Sequence, residues 1–179
     1  MTVLEDLALA LDSEGVSARA RNDELLVPLG SGVEIRLVEL DAHFPVINIY
    51  IDEKVLVSVA FSLEDAVESV LEHLATDDMV TMMRALLANN DGRLTDLEFY
   101  QDEEDPDALN AEVGICSVLH IHFSVEENTA IADVQLITED EEYLDLGSYH
   151  SFDKLAGVLA FASDHAEAWE AELTPVIDY

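Results

Sequence analysis

The chain has 179 residues, half of them hydrophobic, and its 40 acidic against seven basic residues give a formal net charge of −33. A chain so rich in apolar residues is not a disordered acidic tail, and its composition predicts a folded core with the carboxylates on the surface. Such a surface repels nucleic acid and anionic membranes, whereas it attracts basic proteins.

The first predicted element is a helix, "TVLEDLALALDSEG" (2–15). Thr2 and Glu5 have the spacing of a capping box, apolar residues recur at helical spacing, and Gly15 can end the helix. A secretion signal needs a positively charged start, whereas this segment is acidic. No apolar run approaches the ~20 residues of a membrane span. We therefore expect a cytoplasmic protein without membrane contact.

Three stretches of alternating apolar and polar residues come next and are typical of strands. They cover residues 33–37, 47–51 and 55–61. The segment "DAHFP" (41–45) is predicted as a loop.

Two consecutive helices are then predicted. Ser62 caps the first, which ends at Asp78, and "MVTMMRALLANN" (79–90) forms the second. A soft apolar stripe on the second helix is most often core, but an exposed stripe would suit a partner helix. The candidate partner-binding residues are Met79, Met82, Met83 and Leu86.

The second half of the chain begins with an acidic segment that contains a proline, "QDEEDPDALNAEVG" (101–114), and we predict an exposed loop there. Two strands are predicted at 115–125 and 130–138. The segment "EDEEYLDLGSYH" (139–150) then connects to a last helix capped by Ser151.

The separation of helices from antiparallel strands predicts an α+β protein, an antiparallel sheet flanked by helices in the order α-β(3-4)-α-α-β(3-4)-α. We expect a single domain over residues 1–179. An internal pseudo-repeat with halves at 1–76 and 77–179 stays open as an alternative description, because identity between the halves is low.

Two histidines one residue apart stand out in "CSVLHIHFSVEE" (116–127). If Glu127 and Asn128 form a two-residue hairpin turn, His122 faces Asp133 and His120 faces Gln135 on one side of the sheet. His120, His122 and Asp133 are therefore candidate ligands for zinc or another transition metal. The alternative is a solvated sheet face with a cross-strand His–Asp pair.

A second candidate metal site is "NNDGRLTDLEF" (89–99), in which some residues stand at the positions of an EF-hand calcium loop. Glu98 stands at the last ligand position, but Leu87 stands at the first and has no side-chain oxygen. We therefore favour a turn after a helix, with Leu97 and Phe99 starting a strand.

The residues show no catalytic motif. The chain has no glycine-rich phosphate loop, nucleophile elbow or HExxH sequence, so we expect a protein that is not an enzyme and needs no cofactor. The single cysteine, Cys116, excludes a disulfide within the chain and is consistent with a reducing cytoplasm. Its position in an apolar run predicts a buried, inert thiol.

The opening "LEDLALALDSEGVSARARNDELLVPL" (4–29) and the close "HSFDKLAGVLAFASDHAEAWEAEL" (150–173) carry a resemblance. In pattern and order the chain resembles the YbjN-like family, whose fold is that of type III secretion chaperones. The resemblance implies a non-enzymatic, protein-binding or regulatory domain that is acidic and often dimeric. It implies no catalytic residues.

Three functional hypotheses follow. The favoured one is a chaperone-like protein-interaction module that binds a partner polypeptide, in particular a basic one, through an apolar groove ringed by carboxylates, with homodimerisation open. The second is a mimic of DNA that occupies a nucleic-acid-binding protein, whose binding should fall steeply with salt. The third is a metal-binding protein that uses the His-X-His strand.

Overall fold

The computed structural model describes residues 2–30, 32–41, 44–52 and 54–173. It divides the chain into two compact units, Met1–Asp78 and Met79–Tyr179. The halves considered from sequence, 1–76 and 77–179, meet two residues before this boundary.

The first unit contains one helix, five strands and the beginning of a second helix. Its elements are α1 (Val3–Ser13), β1 (Arg19–Arg21), β2 (Glu24–Pro28), β3 (Glu34–Asp41), β4 (Phe44–Ile51), β5 (Val55–Ala60) and α2 (Leu63–Ala88). The five strands pair in sequence order, and every pair is antiparallel. One face of this sheet packs against α1 and the first part of α2.

Local sequence explains where α1 begins and how its face is buried. The capping box at Thr2 is confirmed: the Glu5 amide donates to the Thr2 hydroxyl, and the Thr2 amide donates to the Glu5 carboxylate, both at 3.2 Å. Leu7 and Leu11, one helical turn apart, are fully buried against the sheet. This packing positions the N-terminal turn of α1 beside the strand ends that form the groove described below.

The second unit repeats the succession of a helical segment, five strands and a helix. Its elements after α2 are a short 3₁₀ helix (Gly92–Leu94), β6 (Phe99–Gln101), β7 (Ala108–Val113), β8 (Ser117–Glu126), β9 (Thr129–Thr138), β10 (Tyr143–Tyr149) and α3 (Phe152–Leu173). The strands again pair in sequence order and antiparallel. The α+β class is confirmed.

Two predicted helices are in fact one. Residues 62–78 and 79–90 were expected as separate helices, but α2 runs without a break from Leu63 to Ala88. Neither glycine nor proline occurs within α2. The Thr76 hydroxyl donates a hydrogen bond to the Glu72 carbonyl oxygen one turn earlier, at 3.0 Å, so this polar side chain finds its partner within the helix.

Two segments predicted as loops, and one predicted only as a connection to the last helix, contain strand residues. The predicted loop 101–114 contains β7. The first part of this segment is acidic, but the apolar residues of "ALNAEV" that follow pack into the core. The segment 139–150 contains β10. In 41–45, Phe44 already begins β4, whereas Ala42 and His43 lie outside the described residues.

The predicted β8–β9 hairpin is confirmed in its register. His122 is paired with Asp133, and His120 with Gln135. Glu127 and Asn128 form the turn with φ values of 49° and 59°, as a two-residue turn between twisted strands requires. The alternation of faces that sequence indicated therefore holds along the whole hairpin.

A buried carboxylate ties α3 to the β7–β8 turn. Glu170 is 5% exposed and accepts hydrogen bonds from the backbone amides of Ile115 (3.0 Å) and Cys116 (3.2 Å). Burial raises the pKa of Glu170, but the nearby Ser117 side chain and the hydrogen bonds from the two amides lower it by more, so the pKa lies below its usual range. Glu170 thus acts as a charged acceptor that orders the turn.

Replacing Glu170 by glutamine should lower the free energy of unfolding at neutral pH by about 1–3 kcal/mol, because two charge-assisted hydrogen bonds weaken. The folded pKa is depressed, so this stabilisation is present above the unfolded pKa and is lost as pH falls through the folded value. The gap between wild type and variant should therefore shrink on acidification. Urea unfolding at several pH values measures it, with the exposed Glu167→Gln as control; a gap independent of pH would contradict the assignment.

Candidate binding site

A groove opens in the first unit between the start of α1, the β1–β2 turn and the end of β3. Its volume is about 470 Å³, within the range of about 300–1,000 Å³ found for ligand sites. The groove is defined by its lining residues, which are Thr2, Leu4, Glu5, Ala8, Ala20, Asn22, Asp23, Glu24, Leu25, Glu39 and Leu40.

The apolar part of the groove comes from α1 and two strands. Leu4 and Ala8 lie four residues apart on α1 and therefore on the same face. Leu25 of β2 is buried and continues into the core, whereas Leu40 of β3 is 58% exposed. A solvent-exposed leucine beside a buried one gives a partner's apolar side chain a surface to cover.

Carboxylates surround this apolar part. Glu5, Asp23, Glu24 and Glu39 all line the groove, and none of its described lining residues is a lysine or arginine. The β1–β2 turn holds two of them in place, since Asn22 adopts a φ of 53° that lets the chain reverse before Asp23 and Glu24.

One of the four carboxylates is partly neutralised. The Arg36 guanidinium lies 3.2 Å from Glu24, and Arg21 lies 3.9 Å from it. A base from a ligand would therefore gain most from the three other acids. The groove suits an apolar group with basic neighbours, such as a side chain of a lysine- or arginine-bearing polypeptide.

The methionine stripe predicted to bind a partner belongs to the core. Met82 is 6% exposed and Leu86 is fully buried, in the cluster that fills the second unit. Met79 and Met83 are partly buried and pack against the same cluster. The apolar side chains of Met82 and Leu86 are thus covered within the second unit, as in most such stripes, and partner binding by the four residues stays a prediction.

The two histidines are held by partners on one face of the second sheet. The Nδ1 atom of His122 lies 2.8 Å from a carboxylate oxygen of Asp105, and the Nδ1 atom of His120 lies 2.8 Å from the side-chain Oδ1 of Asn110. The Asn110 amide in turn donates to Asp102 at 2.8 Å. This hydrogen bond, with backbone amides and His120, lowers the pKa of Asp102.

His120, His122 and Asp133 line one pocket of about 280 Å³. Asp133 accepts a hydrogen bond from Ser148 on β10. Within the described part of the chain, no three His, Cys, Asp or Glu side chains form a group that could hold a metal ion. The predicted ligands therefore share a pocket without forming a metal-holding group among the described residues. The carboxylate bonded to His122 is Asp105 and not the cross-strand Asp133.

The segment 89–99 is a turn stabilised by its own ion pair. Asp91 caps the short 3₁₀ helix by accepting from the Arg93 amide at 2.9 Å, and the Arg93 guanidinium lies 2.8 Å from the same carboxylate. These hydrogen bonds lower the pKa of Asp91 to about 2. The carboxylate that a calcium loop would need is thus bound to an arginine.

Cys116 is exposed, which corrects the prediction of a buried thiol. It lies in the β7–β8 turn, after Gly114 with a φ of 61° and beside Ile115, which is also exposed. The apolar run that suggested burial begins in this turn, and its inward alternation starts only at Ser117.

Sequence reasoning missed the groove residues. They come from three separate segments, and no single segment has a binding pattern. The usable signal was the hairpin "ARARNDELLV" (18–27), in which Asn22 and Asp23 stand between two alternating stretches. It would have predicted two carboxylates at the turn, though not the helix beside them.

Comparison with known proteins finds no family model, no curated protein and no solved structure that matches this chain. The resemblance to the YbjN-like family therefore stays a prediction. In the described residues no helix is both long and apolar enough to cross a membrane.

Proposed function

We propose that this chain is a non-enzymatic, acidic interaction module that binds a partner polypeptide through the groove of its first unit. The observation that carries the proposal is that the groove combines apolar lining residues with four acidic ones, and that no basic residue occurs among the lining residues that the structure describes. A partner segment with an apolar side chain between lysines or arginines complements both features.

The two features have separate physical roles. The overall charge of −33 attracts a basic partner over a distance and speeds encounter. Burial of apolar groups against Leu4, Leu25 and Leu40 then supplies affinity that salt screens only weakly. The complex should therefore persist at moderate salt, in contrast to binding by charge alone.

Affinity capture from the native lysate, at low and high salt, tests this proposal with two matched variants. Leu40→Asp places a charge in the groove, whereas Leu9→Asp makes the same change at an exposed α1 position outside it, the two leucines being 58% and 60% exposed. We expect a partner that survives high salt to be lost with Leu40→Asp and retained with Leu9→Asp.

Two outcomes would contradict the proposal. Equal capture by both variants would show that the groove is not used. Enrichment of basic nucleic-acid-binding proteins that duplex DNA or high salt displaces would favour a mimic of DNA instead.

A further inference from the structure

Edge strands of soluble proteins are usually short, charged or irregular, because an open row of backbone groups can pair with another chain. Three of the four described sheet edges follow this rule. β1 has three residues, two of them arginines, and β6 has only three. β10 contains Asp145 and has a register shift.

β5 is the exception among these edges. It has six residues, Val-Leu-Val-Ser-Val-Ala, with no charged side chain, and it lies at the end of the strand order of its sheet. Its protection is limited to one register shift against β4. A strand of this kind is open to pairing along its free side.

The side chains of β5 are exposed as well as its edge. Val55, Leu56, Val57 and Val59 are each 38–58% exposed, and Phe61, directly after the strand, is 62% exposed. Successive residues of a strand point to opposite faces, so apolar surface is open on both sides of this edge. A contiguous exposed apolar surface in a soluble chain marks an interaction site.

We infer that β5 is a docking edge for an extended segment of a partner polypeptide, which pairs with it as a sixth strand. The backbone of β5 supplies the hydrogen bonds, and Leu56, Val57 and Val59 contact alternate apolar side chains of the added strand. This inference goes beyond the proposed function, since β5 does not line the groove.

Charge indicates the chemistry of the occupant. Asp52 precedes β5, and Glu64 and Asp65 follow it in the first turn of α2, all three exposed. A strand with an uncharged apolar centre and lysine or arginine at its ends meets these carboxylates at both ends. Lys54 is the basic residue nearest in sequence to the strand, and it lies directly before Val55, at the same end of β5 as Asp52.

A second copy of the chain fits this edge less well. Residues 1–78 contain 17 acidic and four basic residues, a net charge of 4 − 17 = −13. Edge-to-edge pairing would bring two such units within about one Debye length, ~8 Å at physiological salt, where like charges are not screened. A basic-ended partner strand carries no such cost.

The test uses a labelled peptide of alternating valine and threonine with two lysines at each end, titrated against the full chain by fluorescence anisotropy. Val57→Lys should weaken its binding about tenfold or more, because lysine on an edge opposes pairing. Leu9→Lys adds the same charge on α1, at a residue 60% exposed, and should leave binding within about twofold. Hydrogen exchange of the β5 amides should slow when the peptide is bound.

Three results would overturn the inference. The first is equal weakening by the two lysine variants, which would mean that only charge is read. The second is binding without slower exchange in β5. The third is a dimer of the protein alone, seen by sedimentation and lost in Val57→Lys, which would assign the edge to a second copy. Leu40→Asp should leave peptide binding intact, so failure of the groove and failure of the edge are distinguishable.

Discussion

Replacing Leu86 by alanine is expected to lower the free energy of unfolding by about 2–5 kcal/mol, whereas the same change at Leu87 should shift it by less than about 0.5 kcal/mol. The two residues are neighbours near the end of α2, so the change in helix propensity is the same. They differ in burial: Leu86 is 0% exposed and Leu87 is 47% exposed.

Denaturant unfolding measures the difference, with the fluorescence of the single tryptophan, Trp169, as the probe. Trp169 packs against the core cluster that contains Leu86 and therefore reports on it. Equal stability of the two variants would contradict the placement of Leu86 in the core. It would return the methionine stripe to the role of an exposed docking face.

Gly114→Ala is expected to destabilise the protein by about 2–5 kcal/mol, the sum of two effects. Gly114 has a φ of 61°, a conformation that costs a residue with a Cβ about 1–2 kcal/mol. The new Cβ would also lie 2.7 Å from Cδ of Glu170. The carboxylate would have to move away from the Ile115 and Cys116 amides, which costs about 1–3 kcal/mol.

Gly157→Ala is the matched control. Gly157 lies inside α3, and a Cβ there would meet nothing within 4 Å. Alanine is the better helix former by about 1 kcal/mol, so this variant should be as stable as wild type or more so. Thermal unfolding of both variants decides the point. A Gly114→Ala protein as stable as Gly157→Ala would show that the turn does not depend on the Glu170 contact.

Parts of the fold could be predicted where a few neighbouring residues determine the local structure. The β8–β9 register followed from the turn at Glu127 and Asn128 together with matched faces on both strands. The start of α1 followed from the capping box at Thr2. In both places the information lies within a few residues of the chain, so sequence alone contains it.

Other parts depend on contacts that no local pattern reveals. The buried alternation of β7 follows a stretch of five acidic residues and a proline (102–107), so the composition of the whole segment indicated a loop. Cys116 shows the opposite case: its apolar neighbours in sequence predicted burial, but it lies in an exposed turn. The prediction of two helices placed a boundary at the acidic residues in the middle of α2, but charged residues on a helix surface do not interrupt the helix.

The groove shows the same limit for function. Leu4, Asp23 and Leu40 are 17 or more residues apart in sequence and come together only because the sheet positions α1 beside the β1–β2 turn. The net charge and the family resemblance predicted a type of site, an apolar groove ringed by carboxylates. The prediction placed the apolar part on the methionine stripe, which the core occupies.

The central claim is that the groove of the first unit binds apolar groups flanked by bases. Titration of the ¹⁵N-labelled full chain with a short peptide of alternating leucine and lysine, followed by NMR at low and high salt, tests it directly. Saturable shifts concentrated at Leu4, Ala8, Asp23 and Leu40 that persist at high salt are the predicted result. Shifts spread over acidic residues of both units that disappear with salt would contradict it, because they would show binding by net charge alone.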